Sequence, residues 1–260
     1  MIKQEERLDY LIDVLIKEDE QYATLEIPQG YMGKERLLRS LMNVRSPRPI
    51  SEQFLKVQDE YLKEALQSCG ICDAAKLPAV KVDERIALWQ GDITTLKIGA
   101  IVNAANSQLR GCFVPSHSCI DNCIHSFAGI QLRLDCDTLM NAQGYEEPTG
   151  KAKITKAYNL PCEYVLHTVG PIVHSKVTAV EKDLLANCYK SCLELAVAHQ
   201  IESIAFCCIS TGVFCFPNEL AAEIAVGVVR EFLKANQTLK KVVFNVFKDE
   251  DLKIYESLLS

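Results

Sequence analysis

Apolar positions in the first third of the chain recur at helical spacing. Leu8, Leu11, Ile12, Leu15 and Ile16 make one stripe, and Leu37, Leu38, Leu41 and Met42 make a second after the Gln29-Gly30 turn. Pro47 and Pro49 stop the second helix, and Ser51 can cap a third with Phe54, Leu55, Tyr61, Leu62 and Leu66 facing inward. No chemistry is evident here. The stripes predict surfaces packed on whatever follows, with partner binding as the alternative.

After Val82 the pattern changes. Ile86–Gln90 reads as a strand ending at Gly91-Asp92-Ile93-Thr94, and Ala100–Asn103 as another, leading through a polar loop into a helix over Ile120–Met140. Lys153–Ala157 and Tyr164–Val169 read as strands either side of Asn159-Leu160-Pro161. A helix over Glu181–His199 follows, then Ser203–Ile209, apolar enough for a strand buried on both faces. Pro217 opens a helix with Leu220, Ile224, Val228 and Phe232 inward; Val242–Phe247 is a last strand, and Asp249 can cap a helix to Leu259. Alternating strands and helices imply an α/β domain over 83–260 with a largely parallel sheet, preceded by a helical extension over 1–82. Ligands in such folds bind at the carboxyl ends of strands, here the loops after Asn103, Ile209 and Phe247.

A net charge of −6 argues against a nucleic-acid surface, which is normally basic. No apolar run is long enough to span a bilayer, and the acidic start is unlike a signal peptide, so no membrane partner is expected. Adjacent Cys207-Cys208 within an apolar run suits reduced thiols in the cytoplasm better than a disulfide framework.

Two loops carry candidate chemistry. Cys112, His117 and Cys119 lie within eight residues and can close on one Zn²⁺ with its fourth position open, as in catalytic sites. Cys123 and His125 are candidates for a fourth ligand, although helical spacing places them a turn further on. The bland alternative makes these cysteines small buried hydrophobes, a real risk in a chain with 12 of them. The second loop, Ser210-Thr211-Gly212-Val213-Phe214, offers small residues and backbone N–H groups ahead of a helix, which suits a phosphate. There is no Gly-x-Gly-x-x-Gly run and no Walker A lysine.

Gly91-Asp92-Ile93-Thr94, Ile101-Val102-Asn103-Ala104-Ala105-Asn106, Ile124-His125, Ser210-Thr211-Gly212 and Phe216-Pro217 together resemble the macrodomain family in order and spacing. That resemblance implies a three-layer α/β/α fold that binds ADP-ribose and, in some members, hydrolyses it from proteins. Where ordinary members have a glycine-rich run after Asn-Ala-Ala-Asn, this chain has Gly111–Cys119. The replacement, with the helical extension, is similar to the zinc-containing microbial branch. That branch is associated with a sirtuin-type ADP-ribosyltransferase and the lipoylated carrier protein it modifies. A histidine at the position of His125 also occurs in zinc-free members, so the resemblance leaves the metal to Cys112, His117 and Cys119.

By position, the resemblance implies that Asp92 accepts the adenine amino group beside the backbone of Ile93, and that Phe247, or else Phe244, stacks on the base. Ser210 to Phe214 would wrap the diphosphate, and Asn106 would touch the distal ribose. Asp121 would serve as a base or as a capping or supporting group, with His117 acting through the metal. Cys215 stands where many members have glycine, which puts the shape of the diphosphate loop in question. The expected activity is zinc-dependent removal of mono-ADP-ribose from modified proteins, at Asp/Glu-type or other O-linked sites, by a monomer. A non-catalytic ADP-ribose reader, an O-acetyl-ADP-ribose deacetylase and a structural zinc protein with a vestigial pocket are the competing readings.

Overall fold

The computed structural model describes residues 3–260, so the first two residues of the predicted extension lie outside the described residues. Three helices come first: α1 (Gln4–Lys17), α2 (Tyr31–Val44) and α3 (Glu52–Cys69). Ser51 caps α3 as expected, its Oγ accepting the Phe54 N–H at 3.2 Å. Leu8, Leu11, Leu15, Leu38, Leu41, Phe54 and Tyr61 close a core of their own, joined by Ile130 of the following domain.

The sheet is built from β1 (Cys72–Asp73), β2 (Ile86–Gln90), β3 (Leu96–Ala105), β4 (Ala152–Lys156), β5 (Cys162–Val169), β6 (Ser203–Phe206) and β7 (Lys241–Val246). Its order is β2-β7-β6-β3-β5-β4, with β1 paired separately to β3. Every pairing is parallel except β4 with β5. Pairing of Cys72 with Leu96 draws the chain before residue 83 into the sheet. Helices α4 (Ile120–Ala128) and α5 (Ile130–Gln143) cover one face; α6 (Ala179–Ala198), α7 (Asn218–Ala235) and α8 (Asp249–Leu259) cover the other. Val102, Ile101, Leu166, Ile204 and Val243 form the fully buried spine between the layers. The architecture is the expected α/β/α sandwich with a mixed, mostly parallel sheet.

Several local expectations need correction. The segment Ile120–Met140 is two helices, broken at Gly129 with φ +98° and ψ 170°. A Cβ there would lie 2.6 Å from Gln58 Nε2, so glycine is required by both backbone and space. The strand expected over Ser203–Ile209 pairs only to Phe206, after which the chain turns towards the second candidate loop. On α7 the fully buried positions are Ala221, Ala222, Ala225, Val226, Val229 and Leu233, whereas Leu220, Ile224, Val228 and Phe232 are half-buried. The large side chains flank a seam of small ones where α7 packs against α6 and α8. Asp249 is the first residue of α8 rather than its cap, and its Oδ1 accepts Gln90 Nε2 at 2.8 Å.

Candidate functional site

The carboxyl ends of β2, β7, β6, β3 and β5 lie along one edge, and the candidate residues follow them directly. At the β2–β7 end, the Gly91 N–H donates to Val246 O at 3.0 Å, and Asn245 Nδ2 donates to Gly91 O at 2.9 Å. These bonds set Asp92 and Phe247 on neighbouring strand ends. Asp92 is exposed and caps a 3₁₀ turn, Ile93–Thr95; its Oδ1 accepts Thr94 N at 2.9 Å and Thr94 Oγ1 at 2.7 Å. Phe247 is 76% exposed, while Phe244 is buried against Tyr255 with ring centroids 5.1 Å apart. Of the two phenylalanines, only Phe247 is free to stack on a ligand.

In the loop after β6, Phe216 N donates to Ser210 O at 3.0 Å and Cys215 N donates to Gly212 O at 3.0 Å. The N–H groups of Thr211, Gly212, Val213 and Phe214 have no protein acceptor among the described residues. Consecutive unsatisfied backbone donors are the feature from which anion sites are built. Cys215 takes φ +56°, the left-handed region that a glycine would use, so the loop keeps that turn at a cost of roughly 1–2 kcal/mol. A strand-end segment not singled out in the sequence closes the loop's other side: Val173 N donates to Phe214 O at 2.9 Å.

The loop after β3 brings the three candidate ligands together. The ligand atoms of Cys112, His117 and Cys119 lie within 4.8 Å of one another, and Cys112 Sγ is 3.8 Å from His117 Nδ1. Tetrahedral zinc, with bonds of roughly 2.0–2.3 Å, separates its ligand atoms by about that much. Burial pushes the Cys119 thiol up to about 12, with the neighbouring Cys112 thiol adding to it. The Asn122 N–H at 3.4 Å opposes that shift. A divalent cation held there would offset the burial that keeps the Cys119 thiol protonated. The donor set therefore fits zinc. Cys123 and His125 stay outside the set: Cys123 Sγ accepts Arg39 Nη2 at 3.4 Å, and His125 is buried 3.6 Å from Asp121 Oδ1, grouped instead with Cys136 and His167.

Asn106 clasps this loop. Its Nδ2 donates to Gly111 O at 3.2 Å and to Asp121 Oδ2 at 3.4 Å, and its Oδ1 accepts Gln108 N at 3.0 Å. Asp121 is 4% exposed, with Oδ1 accepting Asn103 Nδ2 at 2.8 Å. Burial raises its carboxyl to about 6, against the hydrogen bond from Asn103 and the charge of Arg133. Asn103 Nδ2 also lies 3.1 Å from His167 Nδ1, whose Nε2 is 2.9 Å from Thr155 Oγ1. As an acceptor at Nδ1, His167 carries its proton on Nε2. Asn103, Asn122 and His167 were not singled out in the sequence as site residues, because only strand pairing and helix docking bring them here.

The family model described as Macro domain matches residues 102–225. The chain is 53% identical over 259 residues to a protein-ADP-ribose hydrolase of Treponema medium, covering 99% of each. It is 50% identical over 251 residues to a protein-ADP-ribose hydrolase of Staphylococcus aureus strain MSSA476, covering 96% of this chain and 94% of that protein. Among solved structures, the Trypanosoma brucei macrodomain in complex with ADP-ribose aligns with a TM-score of 0.66 and 32% identity, over 85% of this chain and 95% of that one. On these grounds the chain belongs to the macrodomain family.

Proposed function

We propose that this chain hydrolyses ADP-ribose from ADP-ribosylated proteins, with one zinc held by Cys112, His117 and Cys119. The observation that carries the reading is the Asn106 clasp. It joins the candidate ribose residue to the ligand loop at Gly111, which supports a metal set beside the distal ribose. The names of the relatives and the ADP-ribose complex of the trypanosomal macrodomain support the substrate class.

In this reading Asp92 accepts the adenine amino group and Phe247 covers the base. The free N–H groups of Thr211 to Phe214 bind the diphosphate. That places the distal ribose at Asn106, whose amide orients it. Asp121, buried with both oxygens engaged, acts by holding Asn106 rather than by touching substrate. Zinc held by Cys112, His117 and Cys119 would supply Lewis-acid chemistry at the ribose linkage. Water ends on the sugar and the side chain leaves with a proton. The finer reading takes the linkage as an Asp/Glu-type ester and the acceptor as a lipoylated carrier modified by a sirtuin-type transferase in the cytoplasm. It rests on the Cys-His-Cys loop and the helical extension.

Release of ADP-ribose from Asp/Glu-, Ser- and Arg-linked protein substrates tests the reading. Turnover of the O-linked members is expected. Tight ADP-ribose binding with no release from any of them would make the chain a reader, and release of acetate alone from O-acetyl-ADP-ribose would make it a deacetylase.

A further inference from the structure

We infer that α2 of the helical extension is the outer wall of the ligand loop, and that Arg39 and Asn43 are positioning residues for the metal site. This deepens the proposed reading and rests on its zinc assignment.

The loop from Gly111 to Cys119 has no regular secondary structure, and Ser116 in its middle sits at φ +52°, a conformation serine rarely holds unaided. The restraint comes from outside. Asn43 Oδ1 accepts the Ser116 N–H at 2.9 Å, and the hydroxyls of Ser40 and Ser116 are 2.9 Å apart. Arg39 Nη2 donates to His117 O at 2.8 Å, to Asn122 Oδ1 at 2.9 Å and to Cys123 Sγ at 3.4 Å. Asn122, so oriented, donates through Nδ2 to Val114 O at 3.0 Å and Cys112 O at 3.4 Å. The backbone at 112, 114, 116 and 117 is thus gripped from α2 directly or through one asparagine.

Simple packing of the extension does not account for this. Leu38, Leu41 and Met42 already fix α2 in the helical core, and Gln58 of α3 anchors the extension by accepting the Ile130 N–H at 3.0 Å. Arg39, Ser40 and Asn43 form a second, polar face that meets the loop and the first turns of α4. Asn43 is 1% exposed and itself pinned by Ser126 Oγ at 2.8 Å, so the contact is built into the interior. Side chains that hold a ligand loop in this way commonly set metal affinity within a factor of about 10–100.

The test is zinc affinity of the full chain, measured by competition with a chromophoric chelator. Arg39→Ala and Asn43→Ala should each weaken zinc binding roughly 10–100-fold, with helix content and ADP-ribose binding retained. Arg39→Lys, which keeps the charge and carries little folding risk, should fall between parent and alanine. Arg7→Ala supplies the control: it breaks ion pairs to Glu60 and Glu64 inside the extension and makes no contact with the loop. Folded Arg39 and Asn43 variants with parent affinity would overturn the inference, as would an equal loss in Arg7→Ala. If the parent chain binds zinc and only the variants are unchanged, the inference alone fails. A parent that binds no zinc defeats it together with the zinc assignment.

Discussion

Cys119 Sγ accepts the backbone N–H of Asn122 at 3.4 Å, so one candidate metal ligand is also the N-cap of α4. The positive end of a helix favours a thiolate at this position, against the burial that pushes the Cys119 thiol up. Ligand and cap are one atom.

That relationship makes serine the informative replacement. A Cys112→Ser/Cys119→Ser protein lacks both sulfur ligands but keeps a good capping group at 119. Metal analysis should find one zinc per chain in the parent and none in the double variant, with α4 intact by circular dichroism. Stoichiometric zinc in the variant would remove the assignment.

Asp92 caps its turn and is also the proposed adenine acceptor, two roles that a pair of substitutions can separate. Asp92→Ala should weaken ADP-ribose binding by roughly 1.5–3 kcal/mol, the scale of a hydrogen bond to a charged group. It should also cost about 1 kcal/mol of stability through the lost cap. Asp92→Asn keeps an oxygen for Thr94 N and should restore stability more than affinity. Calorimetry showing parent affinity for both variants would take Asp92 out of the adenine site.

Binding and turnover should part company at the β3 loop. His117→Ala is expected to bind ADP-ribose within several-fold of the parent yet to lose on the order of 100-fold or more in hydrolysis. An interaction made mainly in the transition state shows in rate rather than in affinity. Asn106→Ala should follow, less severely if it only orients the ribose. A folded, zinc-free His117→Ala protein turning over at the parent rate would make the metal structural.

Much of this arrangement was legible in the sequence, and the misses share a cause. Ser51 as a cap and the turn at Asp92 are local, set by side chains within a few residues of their partners. The break at Gly129 was hidden because its reason is Gln58, 71 positions earlier, pressing on the space where a Cβ would be. The face of α7 was misread because Ala221, Ala222, Ala225, Val226, Val229 and Leu233, rather than Leu220 and Phe232, are buried deepest. The Cys-His-Cys cluster could be read from spacing, whereas the contacts of Arg39 and Asn43 with its loop come from a distant helix.

Acid pH should probe the buried polar network beneath the site. Burial holds His167 at about 4 and His125 well below its ordinary value. Below about 6.5 the unfolded chain takes up protons on these rings that the folded chain refuses, so stability is full above that pH and falls towards pH 4. Asp121, held up at about 6, works the other way: its contribution is full below about 4 and is lost as pH rises through 6. His167→Gln can still meet Asn103 and Thr155 without titrating. Denaturant unfolding at pH 7 and pH 5, both in chelator, should show the parent losing about 2 kcal/mol more than the variant. Equal losses would mean that the folded ring takes up its proton as readily as the unfolded one.

Arg133 of α5 donates through Nη1 to the carbonyls of Met42, Asn43 and Arg45 at 3.1, 2.7 and 2.7 Å, closing the end of a helix about 90 residues upstream. During synthesis at roughly 5–20 residues per second, that interval lasts about 5–18 seconds. For that time α2 has left the ribosome while its last carbonyls await their guanidinium. The wall of the ligand loop is therefore made before the loop, but it is finished only by a residue that emerges after the last cysteine ligand.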